Sequence, residues 1–306
     1  MVFTEPPPPE LATIVEPPPP DLPPEARGRI VIGYTLFERI YYLLVAGYDV
    51  FGNVGHQLNS RLYMDFMRME GEFNFLVLLP QGIRQTTAES WYQGAPDDFL
   101  GPNDAVPLPS EADQIDFEGE FGVITDAVPM GTSPAEAMKH IKLIVQINDW
   151  SLRTLAGPEM KTGFGWVQAK PPCSMAPYAC TPDELGDQWR NGRACLDLLV
   201  DWNGERFGAA NGEPMGYGFH ELVAHAARTR NLVAGTVIGS GTVSNENYRE
   251  IGSSCIAERR GIEIVDEGAP RTEFMRFGDI VWMQGTMADG RAPFGVIEQK
   301  VVSRFA

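Results

Sequence analysis

The spacing of apolar and polar residues along the 306-residue chain changes character near residue 101. Upstream, "FNFLVLL" (73–79) reads as a buried strand. "HQLNSRLYMDFMRMEGE" (56–72) sets apolar residues at 58, 62, 63, 66 and 67, a helical period. The stretch "RIVIGYTLFERIYYLLVAGYDVFG" mixes strand and helix signals. Downstream the pattern is orderly. "DFEGEFGVIT" (116–125) is a strand. "SPAEAMKHIKLIVQIND" opens a helix with Ser133 as N-cap, Pro134 at the first helical position and Glu136 three residues after the cap. That helix gives way to a strand by "IVQIND". "CLDLLVDWNGERFG" is a hairpin, two alternating runs around Asn203-Gly204. "FHELVAHAARTRNL" is an amphipathic helix with Leu222, Val223, Ala226 and Ala227 inward. "GTVIGSGTVSN" is a strand plus a Gly/Ser/Thr loop, and "FGDIVWMQ" and "FGVIEQKVVS" close the chain as two strands. Many strands, few helices and frequent glycine turns predict an α+β, mostly β domain.

Composition adds boundaries and exclusions. Residues 1–27 hold ten prolines in "EPPPPE" and "EPPPPD" blocks, a polyproline-like tail that serves as a spacer or as a ligand for a proline-reading module. Residues 28–100 form an N-terminal region or lid, and 101–306 the main domain. Forty-one acidic and 24 basic residues give a net charge of −17. Such a surface repels phosphate backbones, which excludes nucleic acid as a partner, and clustered carboxylates call for a cation. Cys173, Cys180, Cys195 and Cys255 form no C-x-x-C pair and read as reduced thiols of a cytoplasmic protein. The N-terminus has no basic and then apolar leader, and "IYYLLVA" (40–46) is far shorter than the roughly 20 residues of a membrane span.

Candidate chemistry starts in "QIDFEGEFGVI" (114–124). Glu118 and Glu120 are two apart, so a strand puts both on one face with Asp116 beside them. Like charges side by side destabilise a sheet. The row is either solvent-facing or compensated by a metal ion. "QINDWSLRTL" brings a third carboxylate, Asp149, and three carboxylates with waters make an all-oxygen site suited to Mg²⁺, Mn²⁺ or Ca²⁺. The competing reading of Asp149 is a plain strand-ending turn. In "GFGWVQAKPPCSMAP", Lys170 is either a surface lysine or a cation that neutralises a developing enolate. In "GSGTVSN", exposed N–H groups and the Thr242 hydroxyl suit a carboxylate or carbonyl. "HELVAH" is a decoy for a zinc-protease helix: His220 and His225 are five apart, roughly 140° around a helix, and cannot share a metal.

Together "DFEGEFGVITDAVPMG", "NDWSLRTL", "GFGWVQAKP", "TPDELGDQW", "NGERFG", "HAARTRNLVAGTVIGSGTVSN" and "FGDIVWM" resemble, in order and spacing, the fumarylacetoacetate hydrolase family over about residues 92–306. The resemblance implies a mixed β-sandwich roll, a homodimer, and one divalent cation, Mg²⁺ or else Mn²⁺ or Ca²⁺. Carried over by position, Glu118, Glu120 and Asp149 are metal ligands, and Arg153 and Thr242 bind substrate. Lys170 stabilises a carbanionic leaving group, and Glu258 orients a water-activating histidine. Ser60 stands where that histidine is expected, which leaves His56, four residues earlier, as the candidate base. The implied activity is metal-dependent hydrolysis of a C–C bond in a β-dicarbonyl acid such as fumarylacetoacetate. Decarboxylation or tautomerisation of a keto acid on the same scaffold is the alternative, and a catalytically silent metal-binding homologue, with the proline-rich tail as its contact, is a third reading.

Overall fold

The computed structural model describes residues 29–35, 40–46, 75–78, 91–93, 98–162 and 166–305. The tail 1–27, His56 and Ser60 lie outside the described residues. The stretch with mixed signals forms two strands, β1 (Arg29–Thr35) and β2 (Ile40–Ala46), paired antiparallel from Arg29↔Ala46 to Thr35↔Ile40. β3 (Phe75–Leu78), β4 (Trp91–Gln93), β5 (Phe99–Leu100) and β6 (Val106–Leu108) follow. The acidic row does not lie on one strand. It divides into β7 (Ile115–Asp116) and β8 (Gly119–Thr125), so Asp116 has a setting of its own.

Local chemistry accounts for the next elements. Ser133 Oγ accepts from the Glu136 N–H at 3.4 Å and Pro134 needs no acceptor, which starts helix α1 (Pro134–His140). The helix runs straight into β9 (Ile141–Asn148), three residues earlier than the apolar run alone suggests. β10 (Ser151–Leu152), α2 (Arg153–Thr162), β11 (Cys173–Cys180) and the small hairpin of β12 (Trp189–Arg190) and β13 (Arg193–Ala194) come next. β14 (Asp197–Trp202) and β15 (Glu205–Asn211) are the expected hairpin. Its turn residues Asn203 and Gly204 both have positive φ, 52° and 82°, the conformation for which Asn-Gly is selected. Helix α3 (Phe219–Ala226) buries Phe219, Leu222 and Val223. It is shorter than its amphipathic pattern predicts: Leu232 instead exchanges backbone hydrogen bonds with Val128. β16 (Val237–Gly239), α4 (Tyr248–Ile251), α5 (Ile256–Glu267), β17 (Ile280–Thr286) and β18 (Ile297–Ser303) complete the chain.

The strands form two main sheets. One runs β2-β1-β11-β9-β8-β16-β3-β4 with β5 beside β11, and the other β15-β14-β17-β18-β6. Phe121 of β8 packs against Phe294 with ring centroids 6.0 Å apart. Gly285 of β17 leaves room for both rings, since a Cβ there would stand 3.0 Å from each. Phe121 and Phe294 are fully buried, and removing each from water stabilises the fold by about 1.5–3 kcal/mol. The result is α+β and mostly β, in line with the sandwich-roll expectation. Among the described residues no helix is long and apolar enough to cross a membrane.

Candidate metal centre

Alternation along β8 sends Glu120 to the face opposite Phe121. Register then gathers the site. β8 pairs with β9 at Gly119↔Asn148 and Glu120↔Ile147. Asn148 Oδ1 accepts from the Glu118 N–H at 3.0 Å, and the Glu118 carbonyl accepts from the Asp149 N–H at 2.9 Å. On the other side β16 pairs with β8, and beyond it the Gly119 carbonyl accepts from Val243 N at 3.0 Å, which seats Gly241 and Thr242 above the acids. β11 joins β9 at Ser174↔Asn148 and so delivers Lys170, four residues upstream.

Glu118, Glu120 and Asp149 each offer one carboxylate oxygen, all within 4.8 Å of one another, and all three residues are buried. Glu118 is the most heavily bonded. Its Oε1 accepts from Ser151 Oγ at 2.8 Å and Lys170 Nζ at 3.1 Å, and its Oε2 from Thr242 Oγ1 at 2.8 Å. Lys170 Nζ also donates to Asp149 Oδ2 at 2.7 Å and to Ser151 Oγ at 2.5 Å, and it stands 5.4 Å from the Trp166 ring. Glu120 Oε2 accepts from Gly241 N at 3.2 Å, where a φ of +74° turns that N–H inward. Glu120 Oε1, fully buried, has no hydrogen-bond partner.

Asp116 serves a different end. Its two oxygens accept from the N–H groups of Ile256 at 2.7 Å and Ala257 at 2.9 Å, which caps α5 with an anion. Arg153 Nε donates to Asp116 Oδ2 at 2.8 Å. Its Nη2 stands 2.8 Å from both Asp116 Oδ2 and Glu118 Oε1, as close charge contacts rather than aligned hydrogen bonds. Arg153 and Thr242, expected at the substrate, are thus bonded to the acids themselves. Glu258, on the first turn of α5, is not among the cluster's bonded partners. Asp116 as a helix cap and Ser151 as the bridge between Lys170 and Glu118 are roles the residue pattern alone did not assign. The only advance signals for them are the first acid of the row and the serine two residues past Asp149.

Burial pushes the Glu118 carboxyl up, but Lys170, Arg153 and the hydroxyls of Ser151 and Thr242 outweigh it and hold its pKa at about 2. Burial, and then the Glu118 charge, push Glu120 well above the carboxylate range. Burial also lifts Asp149 and Asp116, against the pull of Lys170 and Arg153 respectively. Burial dominates at two neighbouring thiols. Cys173 is driven well above its usual value by burial and then by Asp149 and Glu120, and Cys255 by burial and then by Asp116. Four buried carboxyl groups, those of Asp116, Glu118, Glu120 and Asp149, face the buried Lys170 and the half-buried Arg153. Carboxyl groups outnumber cations by two, which is why protonation is favoured at Glu120, and one oxygen of Glu120 is orphaned. Buried charge without a partner is strongly unfavourable, and an all-oxygen set of this size fits a hard divalent cation.

Comparison with known proteins gives the family. The fumarylacetoacetate (FAA) hydrolase C-terminal family model matches residues 77–302. The chain belongs to the fumarylacetoacetate hydrolase family. A second model, fatty acid cis/trans isomerase (CTI), matches residues 24–112, a stretch that ends before Asp116 and supplies none of the clustered acids. Among relatives of this family member, 2,4-didehydro-3-deoxy-L-rhamnonate hydrolase of Sphingomonas sp. (strain SKA58) is 30% identical over 145 residues, covering 46% of this chain and 48% of that protein. The chain spans about half the length of the curated relatives it matches. In fold it is similar to a fumarylacetoacetate hydrolase from Exiguobacterium antarcticum, with TM-score 0.56, 18% identity and 76% of each chain covered. It is also similar to a 2-hydroxyhepta-2,4-diene-1,7-dioate isomerase from Mycobacterium marinum, with TM-score 0.55, 18% identity and the same coverage. This family member carries the buried acidic triad described above.

Proposed function

We propose that this chain is a divalent-metal-dependent hydrolase that cleaves a carbon–carbon bond in a small β-diketo acid, acting as a homodimer. The observation that carries the reading is the buried group of Glu118, Glu120 and Asp149, with oxygens within 4.8 Å and more carboxyl groups than cations around them. These three residues would hold Mg²⁺ or Mn²⁺. When bound, such an ion supplies Lewis-acid polarisation of a substrate carbonyl. The chain's own residues do the rest. Ser151, Thr242 and Lys170 hold Glu118 in one orientation, and Gly241 fixes one oxygen of Glu120. As the bond breaks, its electron pair moves onto the oxygen of the leaving enolate. The Lys170 ammonium, held beside Glu118 and Asp149, offsets that charge in a site shielded from water. Arg153 and Thr242 are the candidate donors for a substrate carboxylate; Thr242 has one O–H, given to Glu118, and would turn from it to reach the substrate. The attacking water needs a base, for which His56 is the candidate. Glu258, lifted to about 7 by burial, exchanges a proton near neutral pH and is suited to steer it.

A second reading, decarboxylation or tautomerisation of a keto acid, rests on the sequence: Ser60 stands where the family resemblance puts the water-activating histidine. Those reactions need a stabilised enolate but no attacking water. The test is turnover of a β-diketo acid and of an α-keto diacid, with and without Mg²⁺ or Mn²⁺, by the parent, Glu118→Gln and Lys170→Met. Hydrolysis is expected only with cation, falling by about 10²-fold or more in each variant. Conversion of the keto diacid alone selects the second reading. Cation binding without turnover of either substrate sinks both and leaves a silent homologue.

A further inference from the structure

The segment that carries Lys170 is held in an unusual way. Trp166 and Ala169 are buried, but Val167, 78% exposed, and Gln168 between them are not, so apolar burial alone does not fix the approach to the lysine. Pro171 and Pro172, just after it, have no N–H to offer. A single side chain takes up the donors that precede it. Glu159, in the second turn of α2, accepts from the N–H groups of Val167 at 2.9 Å, Gln168 at 2.8 Å and Ala169 at 3.1 Å. On the other side, the Ala169 carbonyl accepts from Leu152 N at 2.8 Å, next to Ser151. The slight burial of Glu159 raises its pKa, but the N–H groups of Gln168, Ala169 and Val167 outweigh that and leave it below its usual value. A carboxylate that accepts from several backbone N–H groups makes strong, charge-assisted bonds.

We infer that Glu159 is a positioning residue: its carboxylate fixes the backbone at 167–169 and so sets where the Lys170 ammonium meets Glu118, Asp149 and Ser151. The helix that bears it begins at Arg153, which itself contacts Glu118. One helix therefore steers both cations of the acidic cluster, Arg153 directly and Lys170 through Glu159. Without this clamp a lysine must give up its rotamer freedom against three buried partners unaided. Two of the three freed N–H groups, those of Val167 and Gln168, belong to exposed residues where water satisfies them, and only that of the buried Ala169 is left short, so the fold itself loses little. That separates a positioning role from a structural one. The inference draws on the proposed role of Lys170 only for its effect on turnover.

The test uses the full chain, with Glu159→Ala and Glu159→Gln, and an amine-acetylating ester read by mass spectrometry. Labelling of Lys170 is compared with that of Lys139, whose side chain is 70% exposed. In the parent, Lys170 should react at least about tenfold more slowly than Lys139 because its ammonium is buried and paired. Glu159→Ala should lose about tenfold of that protection with a melting temperature within a few degrees of the parent. Formate, a carboxylate able to fill the vacated N–H triplet, should restore protection, and Glu159→Gln, which keeps one acceptor oxygen, should fall between. On a β-diketo acid, kcat should drop about 10–100-fold with KM nearly unchanged. Unchanged Lys170 protection in Glu159→Ala overturns the inference. So does protection lost in both variants together with a large fall in melting temperature and no response to formate. If the parent turns over no substrate, the proposed reaction fails while the labelling still decides the role of Glu159.

Discussion

Replacing Glu120 by glutamine removes a negative charge and keeps an acceptor for Gly241 N. Its carboxylate lies within 4.8 Å of those of Glu118 and Asp149, and no cation pairs with it directly. At that separation and an effective dielectric constant near 20, each ionised pair costs about 3 kcal/mol. Protonating Glu120 avoids this cost only in part, so the chelated variant should be more stable than the chelated parent by about 1–3 kcal/mol. For a chain of this size that is roughly 2–10 °C in melting temperature. A cation at 1,000 times its dissociation constant adds about 4.1 kcal/mol to the protein that binds it, more than the variant's advantage. Calorimetric melts at pH 8, first in chelator and then in saturating Mg²⁺ or Mn²⁺, should therefore cross: the variant melts higher without metal, the parent higher with it. A variant that melts below the parent in chelator, and then gains as much from metal, would refute the electrostatic account of the cluster.

Lys170→Met leaves Asp149 and Glu118 with one cation fewer and should lower stability in chelator by about 3–5 kcal/mol, read by urea denaturation; an unchanged midpoint would mean the lysine is not paired in solution. Asp116→Asn should cost about 2–4 kcal/mol, since Arg153 loses its fully buried partner and α5 loses an anionic cap, and melts should show it without any metal present. The Glu258 carboxyl titrates at about 7 in the fold against 4.5 ordinarily, because burial disfavours its charge. Its favourable contribution is therefore full below about pH 4.5 and is lost as pH rises through 7. Glu258→Gln should match the parent at pH 5 and exceed it at pH 8 by about 1–2 kcal/mol after allowance for partial exposure, as measured by denaturant midpoints at the two pH values.

Features set by a few adjacent residues were legible in the chain. Ser133-Pro134 starts a helix and Asn203-Gly204 makes a hairpin because cap and turn geometry are local. The E-x-E spacing and the carboxylate after an apolar strand left open whether three acids meet; the family resemblance selected that group, and the three lie together. Helix α5 escaped because its N-cap is Cys255 and, of its twelve residues, only Ile256 is buried, so no apolar stripe marks it. β11 escaped because Pro177 interrupts it, and the strand absorbs that proline with a register shift between Met175 and Ala179. The partnership of Asp116 with Arg153 and with the start of α5 spans 37 and 140 residues and exists only once sheet register is set. No local pattern encodes it.

The acids that crowd this centre also govern the sulfur chemistry around it. Cys173 and Cys255 are buried, unpaired in disulfides, and kept protonated by burial and by the carboxylates beside them. Peroxides and alkylating agents act on thiolates, not thiols. These two sulfurs beside the acidic cluster are thereby insulated from peroxide, so oxidation of the folded chain should appear at other residues before either of these cysteines.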